Sequence, residues 1–221
     1  MRIKKLFVLA AMAAGAAFAA TSAADDVATL IAGIQGRYGK AKDLTVDFEQ
    51  TGTVKQMGAH VQKASGVIYF ARPNKMRWVY KSAPAKEIVT DGGSLVIYYA
   101  DEGKAYLKKA GGEFNVGLPM AVLAGNVDVK TQWTPELLAD EDGRARLKLT
   151  PKTPMGFAYL TLSINRQSFL IERLETVDAY GNVTKTALKN PRFNTKLPES
   201  TFTFVPKEGV EIIDMPSAGM E

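Results

Sequence analysis

The 221-residue chain has no cysteine. That excludes a disulfide framework, a thiolate metal site and a cysteine nucleophile, and it excludes lipid attachment through an N-terminal cysteine of this chain. Histidine occurs once, at His60. A Ser-His-Asp triad would hang on that one side chain, which lies beside the Met57-Gly58 turn signal and reads as a solvated loop residue. There is no G-x-S-x-G, S-x-x-K or G-x-x-x-x-G-K, and no grouping of histidine with carboxylates for a transition metal. Asp140, Glu141 and Asp142 do cluster, but with Gly143 behind them they read as a solvated hairpin turn. Paired carboxylates for glycoside hydrolysis need only spatial proximity, and nothing in the order of residues recommends a pair. No catalytic residue, metal or cofactor is expected. Repeats, low-complexity tracts and linkers are also missing, so the chain reads as one domain.

Nor is there an apolar run of the roughly 20 residues that a membrane-spanning helix needs. The longest, Leu6 to Phe18, follows Arg2, Lys4 and Lys5 and gives way to alanine, threonine and serine. Ala17-Phe18-Ala19 and Ser22-Ala23-Ala24 both fit a small-x-small cleavage site, with cleavage after Ala19 or Ala24. Residues 1–24 are therefore expected to be an export signal, and 25–221 the single mature domain. Three of the 28 basic residues lie in that leader and none of the 23 acidic ones, which leaves 25 against 23, or +2, in the rest. The basic balance belongs largely to the leader, and no net-charge case for nucleic acid survives. The compartment expected is a bacterial periplasm, where no ATP drives a reaction.

What the chain does have is strand pattern. One helix opens the mature part: Val27, Leu30, Ile31, Ile34 and Tyr38 recur at helical spacing, after Asp25 and Asp26 and before Gly39. From Leu44, Val46 and Phe48 the period becomes two. Strand runs follow at Gly66 to Ala71, Lys75 to Lys81, Glu87 to Thr90, Ser94 to Tyr99 and Lys104 to Lys109, with turn chemistry between them, including Arg72-Pro73-Asn74 and Asp91-Gly92-Gly93. Strands resume near Lys130 and run through Arg144 to Thr150, Phe157 to Asn165, Phe169 to Asp178 and Val183 to Phe193, then Phe202 to Val205 and Val210 to Ile213. Between them Asn115 to Gly125 carries Leu118, Met120 and Leu123 and no charge, and reads as a short helix. About eleven strands in meander order with two helical segments form a long antiparallel sheet that must curl. Two short helices do not fill a large half-barrel tightly. The concave face either keeps a partly filled apolar cavity, where a hydrophobic ligand would go, or is filled by large side chains.

Parity assigns residues to that face. Met76, Trp78 and Tyr80 share one side of their strand, while Lys75, Arg77, Val79 and Lys81 share the other. The basic side could dock on an acidic partner or anionic membrane surface, or be a solvated face that discourages edge pairing. Ile68, Phe70 and Arg72 share a parity, which puts an arginine in register with core residues. It either snorkels to water at the strand end or is held by partners. The candidate cavity residues are Val46, Phe48, Ile68, Phe70, Met76, Trp78, Leu95, Ile97, Leu160 and Leu162, with Leu118, Met120 and Leu123 above them; a register error of one residue would turn a strand's set outward.

Five motifs in order carry a resemblance. They are Phe48-Glu49-Gln50; Arg72-Pro73-Asn74 with Trp78; Asp91-Gly92 with Leu95 and Tyr98; Leu149-Thr150-Pro151-Lys152; and Phe202-Thr203-Phe204 through Pro206, Gly209 and Val210. Together they resemble the LolA family of periplasmic outer-membrane lipoprotein carriers over nearly the whole chain. A tryptophan found in family members in the Asp-Gly hairpin strand is Val96 here, which touches local packing. The resemblance implies a mainly β protein: an incomplete antiparallel barrel of about eleven strands, with a helical lid over an apolar cavity and Arg72 as the lid latch. It also implies a non-enzymatic, monomeric chaperone that takes acylated lipoproteins from an ATP-driven inner-membrane releasing complex and passes them to an outer-membrane lipoprotein receptor. A sensor of the same fold, a carrier of another lipid and, more remotely, a periplasmic hydrolase are the alternatives.

Overall fold

A computed structural model describes residues 15–55, 60–82, 84–109, 129–154 and 157–215. Helix α1 (Gly15–Gly39) leads into a six-stranded meander: β1 (Asp43–Val54), β2 (His60–Ala71), β3 (Lys75–Tyr80), β4 (Lys86–Thr90), β5 (Ser94–Tyr99) and β6 (Lys104–Lys109). A one-turn helix α2 (Val129–Gln132) opens the second meander: β7 (Trp133–Glu141), β8 (Arg144–Pro151), β9 (Tyr159–Ile164), β10 (Ile171–Val177) and β11 (Val183–Phe193). A 3-10 turn (Glu199–Phe202) and β12 (Glu211–Asp214) follow. The strands form one open sheet in the order β12-β6-β5-β4-β3-β2-β1-β11-β10-β9-β8-β7. The two meanders are joined where β1 pairs antiparallel with β11, and β12 returns to lie parallel to β6 at one edge.

The sheet is thus the mainly β, open architecture expected, with twelve strands among the described residues in place of about eleven. Two expected boundaries are corrected. The helix does not start at Asp25 but ten residues earlier, because the alanine-rich stretch ahead of it holds no helix breaker. Phe202 to Val205 is not a strand. Phe202 ends the 3-10 turn and is buried, so its alternation with Phe204 reflects packing and not a ladder. The segment 115–125, with Leu118, Met120 and Leu123, lies outside the described residues, as do the Met57-Gly58 turn and the first residues of the leader.

Local chemistry explains the corners. At the β4–β5 turn Gly92 takes φ 93°, a left-handed conformation that favours glycine. Asp91 Oδ1 accepts from the backbone N–H groups of Gly93 at 2.8 Å and Ser94 at 2.7 Å. Partial burial raises the Asp91 carboxyl pKa, and these bonds outweigh it, leaving it below the usual carboxylate range. The start of β1 is fastened to the end of β11 by buried Asp43, whose carboxylate accepts from Thr195 N at 2.6 Å, Thr195 Oγ1 at 2.9 Å and Lys196 N at 2.9 Å.

The two faces differ. The inner one carries the core, in which Leu30, Ile31, Ile34 and Tyr38 of α1 pack with residues of β1–β3 and β7–β11. The outer face near β3–β6 is covered by the chain's own C-terminal segment: Phe202 is buried there, Tyr98 meets Phe204 at 5.4 Å, and Arg77 donates to the carbonyls of Thr201 at 3.2 Å and Thr203 at 3.4 Å. Arg77 also pairs with Glu87, and Lys75 with Glu199. The Lys75–Arg77 part of that basic side is therefore neither a solvated face nor a free docking patch, because the C-terminal segment covers it and Glu199 and Glu87 neutralise its cations, while Lys81 stays exposed.

Candidate functional site

Strand register makes the inner face a set of continuous rows. One runs Val46–Ile68–Trp78–Ile88–Ile97–Tyr106 across six strands. A neighbouring row runs Leu44–Phe70–Met76–Thr90–Leu95–Lys108. In the other meander Leu137, Leu147, Leu162, Leu174 and Thr186 line up, and Thr186 meets Gln50 of β1. Side chains opposite one another in an antiparallel pair share a face, so the ten residues assigned to that face by parity all lie on it. Val46, Phe48, Ile68, Phe70, Met76, Trp78, Leu160 and Leu162 are buried in one cluster. Leu95 and Ile97 are half-buried.

That difference marks the site. Beneath α1 the inner face is closed, whereas across β4–β6 Ile88, Leu95, Ile97, Tyr99 and Tyr106 stay half-buried. An apolar strip several strands wide is left partly accessible beside a packed core. Sequence reading missed Ile88, Tyr99 and Tyr106, although the same parity that selects Leu95 and Ile97 would have found them. It also missed Trp133, which is buried and stacked on Phe157 at 5.9 Å.

Packing around Phe48 fixes the strip's border. Its ring meets Trp78 edge-on at 5.2 Å and Tyr80 at 5.0 Å, and Trp78 stacks on Tyr80 at 5.9 Å. Gly66 makes this possible: a Cβ there would stand 2.8 Å from Phe48 Cε1 and 1.8 Å from the Val79 carbonyl oxygen. Burial pushes the Tyr80 hydroxyl up to about 12, against its bond to Gln50 Oε1 at 3.4 Å. The indole N–H groups of Trp78 and Trp133 are buried with no hydrogen-bond acceptor among the described residues. Each is a donor without a partner in a place that disfavours unsatisfied polar groups.

Arg72, expected to hold a lid, makes its described side-chain bonds to the end of α1. Its Nε donates to Ala41 O at 2.9 Å and its Nη2 to Tyr38 O at 3.4 Å. The Tyr38 carbonyl lies in the last turn of α1 and also accepts from Ala41 N at 3.1 Å, while Ala41 lies just past the helix; a cation there suits the helix dipole. From the other side the Tyr38 hydroxyl accepts from Ile171 N at 3.0 Å, and burial raises its pKa to about 12. Arg72 therefore ties down a helix that covers the inner face; segment 115–125 lies outside the described residues. The anchored end of α1 forms one wall of a cavity of about 330 Å³ lined also by Leu44, Val46, Leu170, Ile171 and Leu188.

Among the described residues no group of three or more histidine and carboxylate side chains is placed to hold a metal ion. His60 opens β2, paired with Val54. Asp140, Glu141 and Asp142 sit at the β7–β8 hairpin, where they pair with Arg166, Arg146 and Arg173.

Comparison with known proteins agrees over most of the length. The family model described as "Outer membrane lipoprotein carrier protein LolA" matches residues 39–205. The outer-membrane lipoprotein carrier protein of Chromobacterium violaceum is 33% identical over 215 residues, covering 96% of this chain and 98% of that protein. Its counterpart in Bordetella pertussis is 29% identical over 211 residues, covering 95% and 94%. Among solved structures, an uncharacterized conserved protein from Thermus thermophilus superposes with a TM-score of 0.52 at 13% identity, covering 89% of this chain and 99% of that one. That likeness concerns the fold alone.

Proposed function

The chain belongs to the LolA family of outer membrane lipoprotein carriers, and from that premise we propose that it carries acylated lipoproteins across the periplasm with their acyl chains held against the inner face. The observation that carries this reading is the half-buried apolar strip of Ile88, Leu95, Ile97, Tyr99 and Tyr106 beside a closed core. An ordinary monomeric core has no reason to leave such a continuous strip accessible.

The physical demand is plain. Each acyl CH₂ kept from water is worth ~0.8 kcal/mol, so one sixteen-carbon chain represents on the order of 12 kcal/mol. A lipoprotein does not cross an aqueous compartment unaided at that cost. Residues 1–24 supply export, the ten buried and half-buried parity residues supply the acyl surface, and Leu118, Met120 and Leu123 supply cover. Cargo arrives from an ATP-driven inner-membrane releasing complex and leaves to an outer-membrane receptor. The carrier has no catalytic role and no cofactor, and it acts as a monomer.

Release needs a counterweight to burial. Arg72, by holding α1 over the inner face, stabilises a closed empty state that must be opened for cargo to enter. The cost of opening subtracts from cargo affinity. Spheroplasts or inner-membrane vesicles bearing a labelled lipoprotein test the reading: added protein should move the label into the soluble fraction, and a variant with Leu95 and Ile97 both changed to glutamate should not. Label that stays on the membrane with the natural protein, or is solubilised equally by the variant, would overturn it.

A further inference from the structure

We propose that the same strip ends in an anion subsite, built by Lys86 and Lys104 on either side of Tyr99, that takes the headgroup of an anionic phospholipid. The inference rests on the reading of the inner face as an acyl-binding surface. Lys86 pairs with Tyr99, and Tyr99 with Lys104, so the three form one cross-strand row on the inner face. Tyr80 adjoins it, with the Lys86 ammonium 4.4 Å from the centre of the Tyr80 ring. Strands ~4.8 Å apart put the two lysine Cα atoms ~10 Å from each other, with Tyr99 between them and Glu211 of β12 opposite Lys104 at the end of the row. Lys108, opposite Leu95, adds a third cation farther along β6.

The charge balance is what singles the row out. On the outer face the sheet's half-buried cations are matched, Arg77 to Glu87, Arg144 to Glu172, Arg146 to Glu141 and Lys148 to Glu136, whereas Lys63 and Lys109, unmatched among the described residues, are exposed. Among the described residues Lys86, Lys104 and Lys108 stand in no ion pair. Lys86 is also half-buried, and desolvation lowers its pKa. An ammonium held away from water without a counterion favours any anion that can reach it.

The strip supplies the rest of the ligand. The row Ile88–Ile97 lies two residues along the strands from the Lys86–Tyr99 row, or ~7 Å. An acyl chain lying on the apolar row places its polar end at the lysines. The diacylglyceryl end of a lipoprotein carries no charge, so such cargo leaves these cations unmatched. A glycerophospholipid has the same two acyl chains and ends in a phosphate. Phospholipid and lipoprotein would then compete for the strip.

Isothermal titration calorimetry with dihexanoyl-phosphatidylglycerol and dihexanoyl-phosphatidylcholine, both below their micellar concentrations, tests this on the purified protein. The two probes share acyl chains and differ in net charge. The anionic lipid is expected to bind about tenfold tighter, two charge contacts being involved. That preference should vanish in Lys86→Gln/Lys104→Gln and at high ionic strength, with phosphatidylcholine affinity unchanged. Lys104→Gln alone, which leaves the Lys86–Tyr80 contact intact, should halve the preference on a logarithmic scale should the double variant not fold. Equal affinity of the two lipids for the natural protein, or a preference that survives in the variants, overturns the subsite and leaves the carrier reading standing. Binding of neither lipid overturns both.

Discussion

Replacing Arg72 by leucine removes a guanidinium that bonds Ala41 O at 2.9 Å and Tyr38 O at 3.4 Å. A charge-assisted bond of good length contributes ~1.5–3 kcal/mol, and a long one a fraction of that. Arg72 is itself only half-buried, which pulls the sum down. Ala41, however, is 4% exposed, so its freed carbonyl recovers little from water. A loss of ~2–3 kcal/mol is expected, read as a lower urea midpoint at unchanged m-value. The damage should be local to the end of α1. Because the Tyr38 hydroxyl accepts from Ile171 N, amide exchange at Ile171 should accelerate in step, while exchange in β8 and β9 follows only the global loss. Arg72→Lys should fall between, since an ammonium can keep one bond but not the fork. In a transfer assay the leucine variant should still take up lipoprotein and hand it on poorly, because the closed empty state no longer competes. A midpoint within ~0.5 kcal/mol of the natural protein, with Ile171 protection intact, would refute the anchoring of α1; normal transfer would refute the latch.

Other perturbations follow from the same geometry. Gly66→Ala should be destabilised by more than ~3 kcal/mol or fail to accumulate, since its Cβ would sit 1.8 Å from a backbone oxygen. Gly52→Ala, with nothing within 4 Å of the added carbon, should lie within ~0.5 kcal/mol of the natural protein in the same melt. Tyr38 and Tyr80 are raised to about 12 from 10.0, chiefly by burial. A folded pKa above the unfolded one gives stability that is intact below pH 10 and is lost as pH rises towards 12, by roughly 2–3 kcal/mol for each residue. Urea midpoints between pH 9 and 12 should fall accordingly, and Tyr80→Phe should flatten that fall; an unchanged slope would contradict the assignment.

Much of the sheet could be read from residue order, because its strands alternate sharply and its turns use residues with one purpose. Val46, Phe48, Met76 and Trp78 declare their face by parity alone, and register could not slip without turning them outward. The long-range pairings were not legible. Nothing near Arg77 or Lys75 says that a segment around Thr201 and Glu199 will cover them, and nothing near Lys104 says that β12 will pair parallel to β6. Phe202-Thr203-Phe204 imitates a strand because one aromatic packs on the outer face and the other on Tyr98. The helix start was hidden for the opposite reason: an alanine-rich leader is helical by propensity, so Asp25 and Asp26 mark no boundary in the full chain. As for the site, sequence could name apolar residues on one face but not which of them are closed over by α1. That distinction, between buried Trp78 and half-buried Ile97, is a property of tertiary cover.

The carrier account is tested most directly by native mass spectrometry of the protein purified after co-expression with a triacylated lipoprotein. It predicts a one-to-one complex that disappears when the cargo's acylated cysteine is replaced. Protein that emerges empty, under conditions that keep the cargo soluble, would contradict it.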